Sequence, residues 1–295
     1  MSNAPLMDRA EEKAWAKLNI SLDVTERRAD GFHDMVMVMQ TVSLCDDIRI
    51  TLCDSDRVRA KSSLSFIPGD ERNLAVKAAL RFLRELGIRQ GMDIDVVKHI
   101  PVGAGMGGGS ADAAAVLRSL NRIYGHPLPL PRLEALACDV GSDVAFCVAG
   151  GTALATGRGE KLRVLPPLPP CRFVICKPEF SISTPELFRK LDQISLRRHP
   201  DTAGLLEALE QGALGPLCRR MYNVFEDVDD RRLRTVSEIK SILLDHGALG
   251  AIMTGTGSAV FGVMEAGRGV DEVCQLLRKE YGFCVSAESV GRLFD

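Results

Sequence analysis

The chain has 295 residues, 46% of them hydrophobic and 26% charged, with a formal net charge of -2. That supports one large core or two moderate ones, and it leaves no basic surplus of the kind a nucleic-acid partner requires. No run approaches the ~18 apolar residues that span a bilayer, and the first dozen residues, with Arg9, Glu11, Glu12 and Lys13, lack the apolar centre of a signal peptide. A cytoplasmic protein with no membrane partner is expected. The nine cysteines are odd in number and none forms a C-x-x-C pair. Neither a zinc site nor a disulfide framework is supported, and we read them as small buried hydrophobes in a reducing compartment.

Along the chain, residues 14–23 predict a strand, 25–33 a charged turn, and 35–42 and 47–52 two more strands. Residues 73–87 predict an amphipathic helix, with Leu74, Leu80, Leu83 and Leu86 near helical spacing and Gly87 as the stop. Alternation over 93–100 predicts a strand, followed by a glycine-rich loop at 101–109 and an alanine-rich helix over 110–124. A helix at 131–140 is broken by Gly141-Ser142-Asp143, and 152–156 and 162–165 read as strands. Pro166-Pro167-Leu168-Pro169-Pro170 is the sharpest change of composition. Consecutive prolines are stiff and cannot join a sheet ladder, so this stretch predicts the boundary between a domain at 1–165 and one at 166–295. Beyond it come a strand (172–176), helices (185–191, 202–210, 231–245), two strands (249–253, 259–263) around a second glycine loop, and a closing helix (271–280) and strand (283–286). The steady alternation of a doubly wound sheet is missing, so the expected class is α+β, a two-domain sandwich.

The segment Pro101-Val102-Gly103-Ala104-Gly105-Met106-Gly107-Gly108-Gly109-Ser110 carries the most information. Its glycines leave backbone N–H groups bare, and the helix that follows points its positive end at the same place, which makes a phosphate cradle. The Ser110 hydroxyl is placed to cap the helix, bind a phosphate oxygen or approach a metal. Gly103, Gly105 and Gly108 satisfy G-x-G-x-x-G, but the loop is not in the first strand–helix unit and no strand ending in an acid follows, which argues against a dinucleotide site. No G-x-x-x-x-G-K-[ST] and no H-R-D or D-F-G set occurs, so Walker-type and protein-kinase chemistry are set aside.

The loop resembles the second motif of the GHMP kinases, P-x-x-x-G-L-G-S-S-A-A, in the variant Gly107-Gly108-Gly109-Ser110-Ala111-Asp112-Ala113-Ala114. Met106 stands for the usual leucine and Ala111 for a serine. Ala16-Lys17-Leu18-Asn19-Ile20 is similar to that family's first motif. Met253-Thr254-Gly255-Thr256-Gly257-Ser258 is similar to its third, and Gly141-Ser142-Asp143-Val144-Ala145-Phe146 to G-A-D-V-P-F. Arg27-Arg28-Ala29-Asp30-Gly31-Phe32-His33 and Ser181-Ile182-Ser183-Thr184-Pro185 resemble segments of the branch whose acceptor is a cytidine diphosphate-linked methylerythritol. The resemblance implies an N-terminal domain like domain 2 of ribosomal protein S5 and a ferredoxin-like C-terminal α/β sandwich.

It also implies ATP with Mg²⁺ as the ATP complex, held by few protein ligands whose identity the sequence leaves unknown, and a small-molecule acceptor for a protein that is a monomer or homodimer. Asp143 is the implied base and Lys17 its partner. A lysine in an otherwise apolar strand is costly unless paired, which fits that role. Gly105 to Ser110 are expected to hold the triphosphate, with the rest of residues 101–111 and Asn73 and Lys98 lining the nucleotide site; Asp112 fits poorly beside phosphates. Phe32 and His33 are expected to grip the cytosine by stacking and a directed hydrogen bond. Phe188 offers a second aromatic face or serves the core, and Asn19 and Thr184 are expected polar contacts. Rival readings are a GHMP kinase for mevalonate, homoserine or a sugar, whose acceptors carry no cytosine for Phe32 and His33, and a silent ligand-binding regulator, which has no need of both Lys17 and Asp143.

Overall fold

A computed structural model describes residues 4–265, 267 and 269–294. The first sheet is built on two long antiparallel strands, β1 (Arg9–Arg27) and β2 (His33–Cys53). The central residues of β1, such as Leu18 and Ile20, are fully buried. β2 is one strand where the sequence predicts two. Its other edge is shared: residues 47–53 pair with β4 (Gly91–Val97), and residues 35–40 pair with β5 (Thr152–Gly157). Asp46 lies in the gap between these ladders. It falls between the two strands the sequence predicts, yet it is wholly buried and accepts the backbone N–H groups of His99 and Ile100 at 2.5 and 2.8 Å. A parallel edge strand, β3 (Val58–Ser62), and the hairpin partner β6 (Lys161–Val164) complete this part.

Helix α1 (Leu74–Leu86) starts where the Asn73 side chain accepts the Ala75 N–H at 2.9 Å, and it ends at left-handed Gly87. It packs with α2 (Gly108–Ile123) and α3 (Leu130–Val140), and a short α4 (Val144–Ala149) that the sequence reading misses packs on both of those.

The second sheet contains β7 (Arg172–Lys177), β9 (Gly250–Met253), β10 (Val260–Met264) and β11 (Phe283–Glu288), in the antiparallel order β11-β7-β10-β9. Between β7 and β9 come helices α5 (Thr184–Leu191), α6 (Thr202–Glu210), α7 (Leu214–Cys218) and α8 (Leu233–Asp245), and α9 (Val270–Tyr281) joins β10 to β11. The strand order 4-1-3-2 is that of a ferredoxin-like sandwich, and the expected α+β class holds. The proline stretch lies between β6 of one sheet and β7 of the other. Two segments cross back: β8 (Tyr222–Asn223) pairs in parallel with β1, and the tail bridges Val42 and Gly150 through Ser289 and Arg292. Six of the nine cysteines are buried and all nine are free. Among the described residues no helix is long and apolar enough to cross a membrane.

Candidate active site

The glycine loop joins β4 to α2. Gly107, left-handed at φ +69°, precedes the first helical residue, Gly108, and no side chain caps this end. The capping role open to Ser110 is therefore not taken: Ser110 sits in the first turn and lines the adjoining cleft. Ala111 is the first residue whose N–H bonds back, to the Gly107 carbonyl at 2.8 Å. The N–H groups of Gly108, Gly109 and Ser110 precede it at the mouth of a helix of 16 residues, where the dipole favours an anion.

Gly105 and Gly107 are left-handed, at φ +75° and +69°, and each sits close against a neighbouring segment. A Cβ on Gly105 would lie 2.2 Å from the Thr254 carbonyl oxygen, so the two glycine loops, one from each half of the sequence, touch backbone to backbone here. A Cβ on Gly107 would lie 3.2 Å from Lys17 Cγ and 3.8 Å from Asp143 Oδ2. The loop thus rests directly on the two residues expected to do the chemistry.

Lys17 is delivered by β1 just after a shift in its register with β2, and its own N–H leaves the ladder to bond the Met106 carbonyl at 3.1 Å. Its side chain is 5% exposed. An ammonium that deep needs partners: Asn19 Oδ1 accepts from it at 2.6 Å, and Asp143 Oδ2 stands at 3.5 Å. Asp143 occupies the residue before α4 but does not spend its carboxylate on the helix end. The carboxylate is half-buried and faces a cleft of about 730 Å³, positioned to take a proton from a hydroxyl held there. Asn19 is fixed from the second half of the chain, its N–H donating to Thr254 Oγ1 at 3.0 Å.

On the other side of the loop, residues 101–109 line a smaller cavity of about 290 Å³, together with Asn73, Lys98 and Asp112. Asn73 and Lys98 line this cavity beside the loop, but their polar atoms are already used. Asn73 caps α1 and donates to the Pro68 carbonyl at 2.9 Å. Lys98 is buried between Asp46, which it contacts closely, and Asp112 at 2.7 Å. Burial alone would lower the Lys98 ammonium; the two carboxylates outweigh it and hold it above its ordinary value. Burial pushes the Asp112 carboxyl up to about 7 against the pull of Lys98, and its Oδ1 has no hydrogen-bond partner. Ala111 is a correction: it is 1% exposed, packs in the core and lines neither cavity.

At the far end of the large cleft, Phe32 is 53% exposed at the hairpin between β1 and β2, with the Arg158 guanidinium 5.1 Å from its ring centre. His33 is held on both sides. Its Nε2 meets Asp192 Oδ1 at 2.7 Å, and its ring stacks on Phe188 with centroids 4.7 Å apart. Phe188 also meets the Phe225 edge at 4.9 Å. Its ring lines the cleft but gives one face to His33, so it is both a wall and a core residue. Thr184 Oγ1 pairs with Thr256 Oγ1 at 2.8 Å, which ties α5 to the second glycine loop.

Comparison with known proteins places this geometry. Residues 73–151 match the GHMP kinases N terminal domain and residues 205–282 the GHMP kinases C terminal. The 4-diphosphocytidyl-2-C-methyl-D-erythritol kinase of Bacillus subtilis (strain 168) is 43% identical over 278 residues, 94% of each chain. The chain belongs to the GHMP kinases. The same-named protein of Geobacillus kaustophilus (strain HTA426) is 43% identical over 277 residues, again 94% of each. A crystal structure of 4-(cytidine 5'-diphospho)-2C-methyl-D-erythritol kinase superposes with a TM-score of 0.79 at 31% identity, covering 96% of this chain and all of that one. A homoserine kinase from Cytophaga hutchinsonii shares the fold at a TM-score of 0.78 and 23% identity, over 100% of this chain and 98% of that one.

As a GHMP kinase the protein is an ATP-dependent phosphotransferase. Four of its site residues escape the sequence reading as individuals. Asp46 anchors the entry to the loop, Thr254 joins the loop to Asn19, Asp192 holds His33, and Arg158 faces Phe32. Thr254 lies inside a motif, and its hydroxyl next to Gly255 was a signal to weigh. The others act through partners more than 50 residues away, which no local spacing reports.

Proposed function

We propose that this kinase transfers the γ-phosphoryl group of ATP to the 2-hydroxyl of 4-diphosphocytidyl-2-C-methyl-D-erythritol, a step toward isoprenoid precursors. The curated relatives carry that activity in their names. One observation in this chain carries the reading: Lys17 and Asp143 meet under Gly107, in a single cleft whose other end is lined by Phe32 and His33. A GHMP kinase for mevalonate or homoserine has no base to place on that aromatic end.

In this reading the acceptor hydroxyl oxygen attacks the γ-phosphorus. The new O–P bond forms as the bond to the leaving ADP oxygen breaks, and the hydroxyl proton passes to Asp143. Lys17 orients that carboxylate and offsets charge on the transferred group. The N–H groups of residues 108–110 hold phosphate oxygens, with Gly105 and Gly107 giving them close approach. Asn19 and Thr184 contact the acceptor. Asn73 and Lys98 act here as braces of the nucleotide cavity. Among the described residues no group of three His, Cys, Asp or Glu could hold a metal ion, so Mg²⁺ is read as part of the ATP substrate and no resident site is assigned. Residues 1–165 form the ATP-binding half and 166–295 the half that closes on it; the ends, 1–3 and 295, lie outside the described residues. Nine free thiols suit the reducing cytoplasm.

A coupled ADP-release assay tests the reading with four acceptors: the cytidylylated methylerythritol, mevalonate, homoserine and a hexose. ADP release is expected with the first alone. Turnover of one of the others in its place overturns the assignment.

A further inference from the structure

The charge lining the large cleft is unbalanced. Four cations face it (Lys17, Arg27, Arg158, Arg189) against two carboxylates, Asp143 and Asp192. Both carboxylates are committed. Asp143 pairs with Lys17 at 3.5 Å, and Asp192 takes His33 at 2.7 Å and Arg27 at 3.6 Å. Arg189 and Arg158 have no ion pair within 4.0 Å among the described residues, and Arg189 gives one donor to the Pro185 carbonyl at 3.3 Å. The Arg158 side chain makes no hydrogen bond to a described residue. Its guanidinium lies against the Phe32 ring, and the nearby Asp30 carboxylate, which feels its charge, is engaged by Arg28 at 3.1 Å.

The backbone fixes where this guanidinium stands. Arg158 is at the tip of the β5–β6 hairpin, between left-handed Gly157 and Gly159, with its N–H held by Glu160 Oε2 at 2.7 Å. A Cβ on Gly159 would lie 3.7 Å from the Ser142 carbonyl, so the hairpin abuts the turn that carries Asp143. Arg158 thus touches Phe32, sits on a hairpin that abuts the turn carrying Asp143, and lines the cleft that both share. A ligand with a base at Phe32 and a hydroxyl at Asp143 lays whatever joins them in the cleft that this residue lines.

We propose that Arg158 binds the diphosphate that links the base to the reacting alcohol in the acceptor. It is thus a specificity-determining residue for nucleoside-diphosphate-linked substrates, an inference that rests on the function proposed above. The planar guanidinium presents paired donors matched to phosphate oxygens. Its surplus charge, with that of Arg189, suits an anionic linker that would otherwise be repelled by Asp143 and Asp192. Its contact with Phe32 keeps the fork extended over the cleft before the ligand arrives.

Calorimetric titration of the full-length protein with cytidine, CMP and CDP tests this, using wild type, Arg158→Met and Arg158→Lys. Wild type is expected to bind CDP more tightly than cytidine. Arg158→Met should lose about 10- to 100-fold in CDP affinity, the range of charge-assisted hydrogen bonds, while cytidine affinity moves less than about twofold; Arg158→Lys should fall between. In turnover the Met variant should raise KM for the diphosphate-linked acceptor and leave kcat near wild type. An unchanged preference for CDP over cytidine in the Met variant overturns the inference alone. So does an equal loss for both ligands, which would mean that Arg158 only supports the Phe32 ring. Wild type that binds none of the three ligands overturns the acceptor assignment as well.

Discussion

Two buried lysines flank the glycine loop, and they have opposite surroundings. Lys98 is enclosed by Asp46 and Asp112, whose charges exceed its own. Lys17 has one neutral acceptor at 2.6 Å and a carboxylate at 3.5 Å, beyond hydrogen-bond reach and half-open to the cleft. The first arrangement is closed: its donors are spent and the segment entering the loop is pinned to β2. The second is left incomplete on the side where a substrate would sit. Burial of a lysine beside a phosphate loop therefore does not by itself mark it as catalytic. What separates the two is whether the partner carboxylate still faces a cavity.

Three measurements press on that contrast. The largest effect is expected at the open pair. Asp143→Asn keeps the shape and removes the proton acceptor, so kcat should fall by about 10²–10⁴-fold with ATP affinity within about twofold of wild type. Turnover near the wild-type rate would remove the base from that side of the comparison.

Methionine at each lysine should then reverse the order of effects. Lys98→Met leaves two carboxylates buried without their cation and should cost about 3–5 kcal/mol in urea unfolding, while kcat of the folded fraction falls less than tenfold. Lys17→Met should cost less stability than Lys98→Met and far more turnover. Equal stability losses would mean that both lysines are structural.

A smaller effect concerns pH. The Asp112 carboxyl is raised by folding from an ordinary 3.8 to about 7, chiefly by burial. Between those values the unfolded chain loses this proton and the folded one keeps it. Stability from this group therefore declines as pH rises from about 4 through 7, and the penalty is complete above that. Asp112→Asn abolishes the titration, so the fall in Tm across that interval should be shallower in the variant. Parallel curves would show that the closed cluster holds no extra proton.

Much of this site was readable because its elements carry local signals. Asn73 and Gly87 bracket α1 as cap and stop, and the glycine run opens α2. Lys17 and Asp143 belong to motifs, and their charged groups stand 3.5 Å apart. The unread parts depend on distant partners. Residues 43–46 fall between two predicted strands and include the charged Asp46, but Lys98 and two backbone N–H groups from 99–100 make burial of Asp46 acceptable. Residues 144–149 are uniformly apolar and six long, too short for a helical period to register. Arg158 belongs to no motif, and its significance comes from what two glycines and a hairpin set beside it. Ala111 falls inside a motif yet points into the core, because consecutive positions on a helix face different ways.

The backbone contact between Gly105 and the Thr254 segment has a bearing on synthesis. These residues are 149 positions apart, so the phosphate cradle leaves the ribosome long before the strand-turn that seals it. Until then the nascent loop has an unfilled neck, and Asn19 lacks the hydroxyl that fixes it. A chain interrupted after the first sheet would thus be a nucleotide-shaped hollow with a loose floor. Competence to turn over ATP would arrive late in translation, once the turn that carries Thr254 has emerged and packed on Gly105.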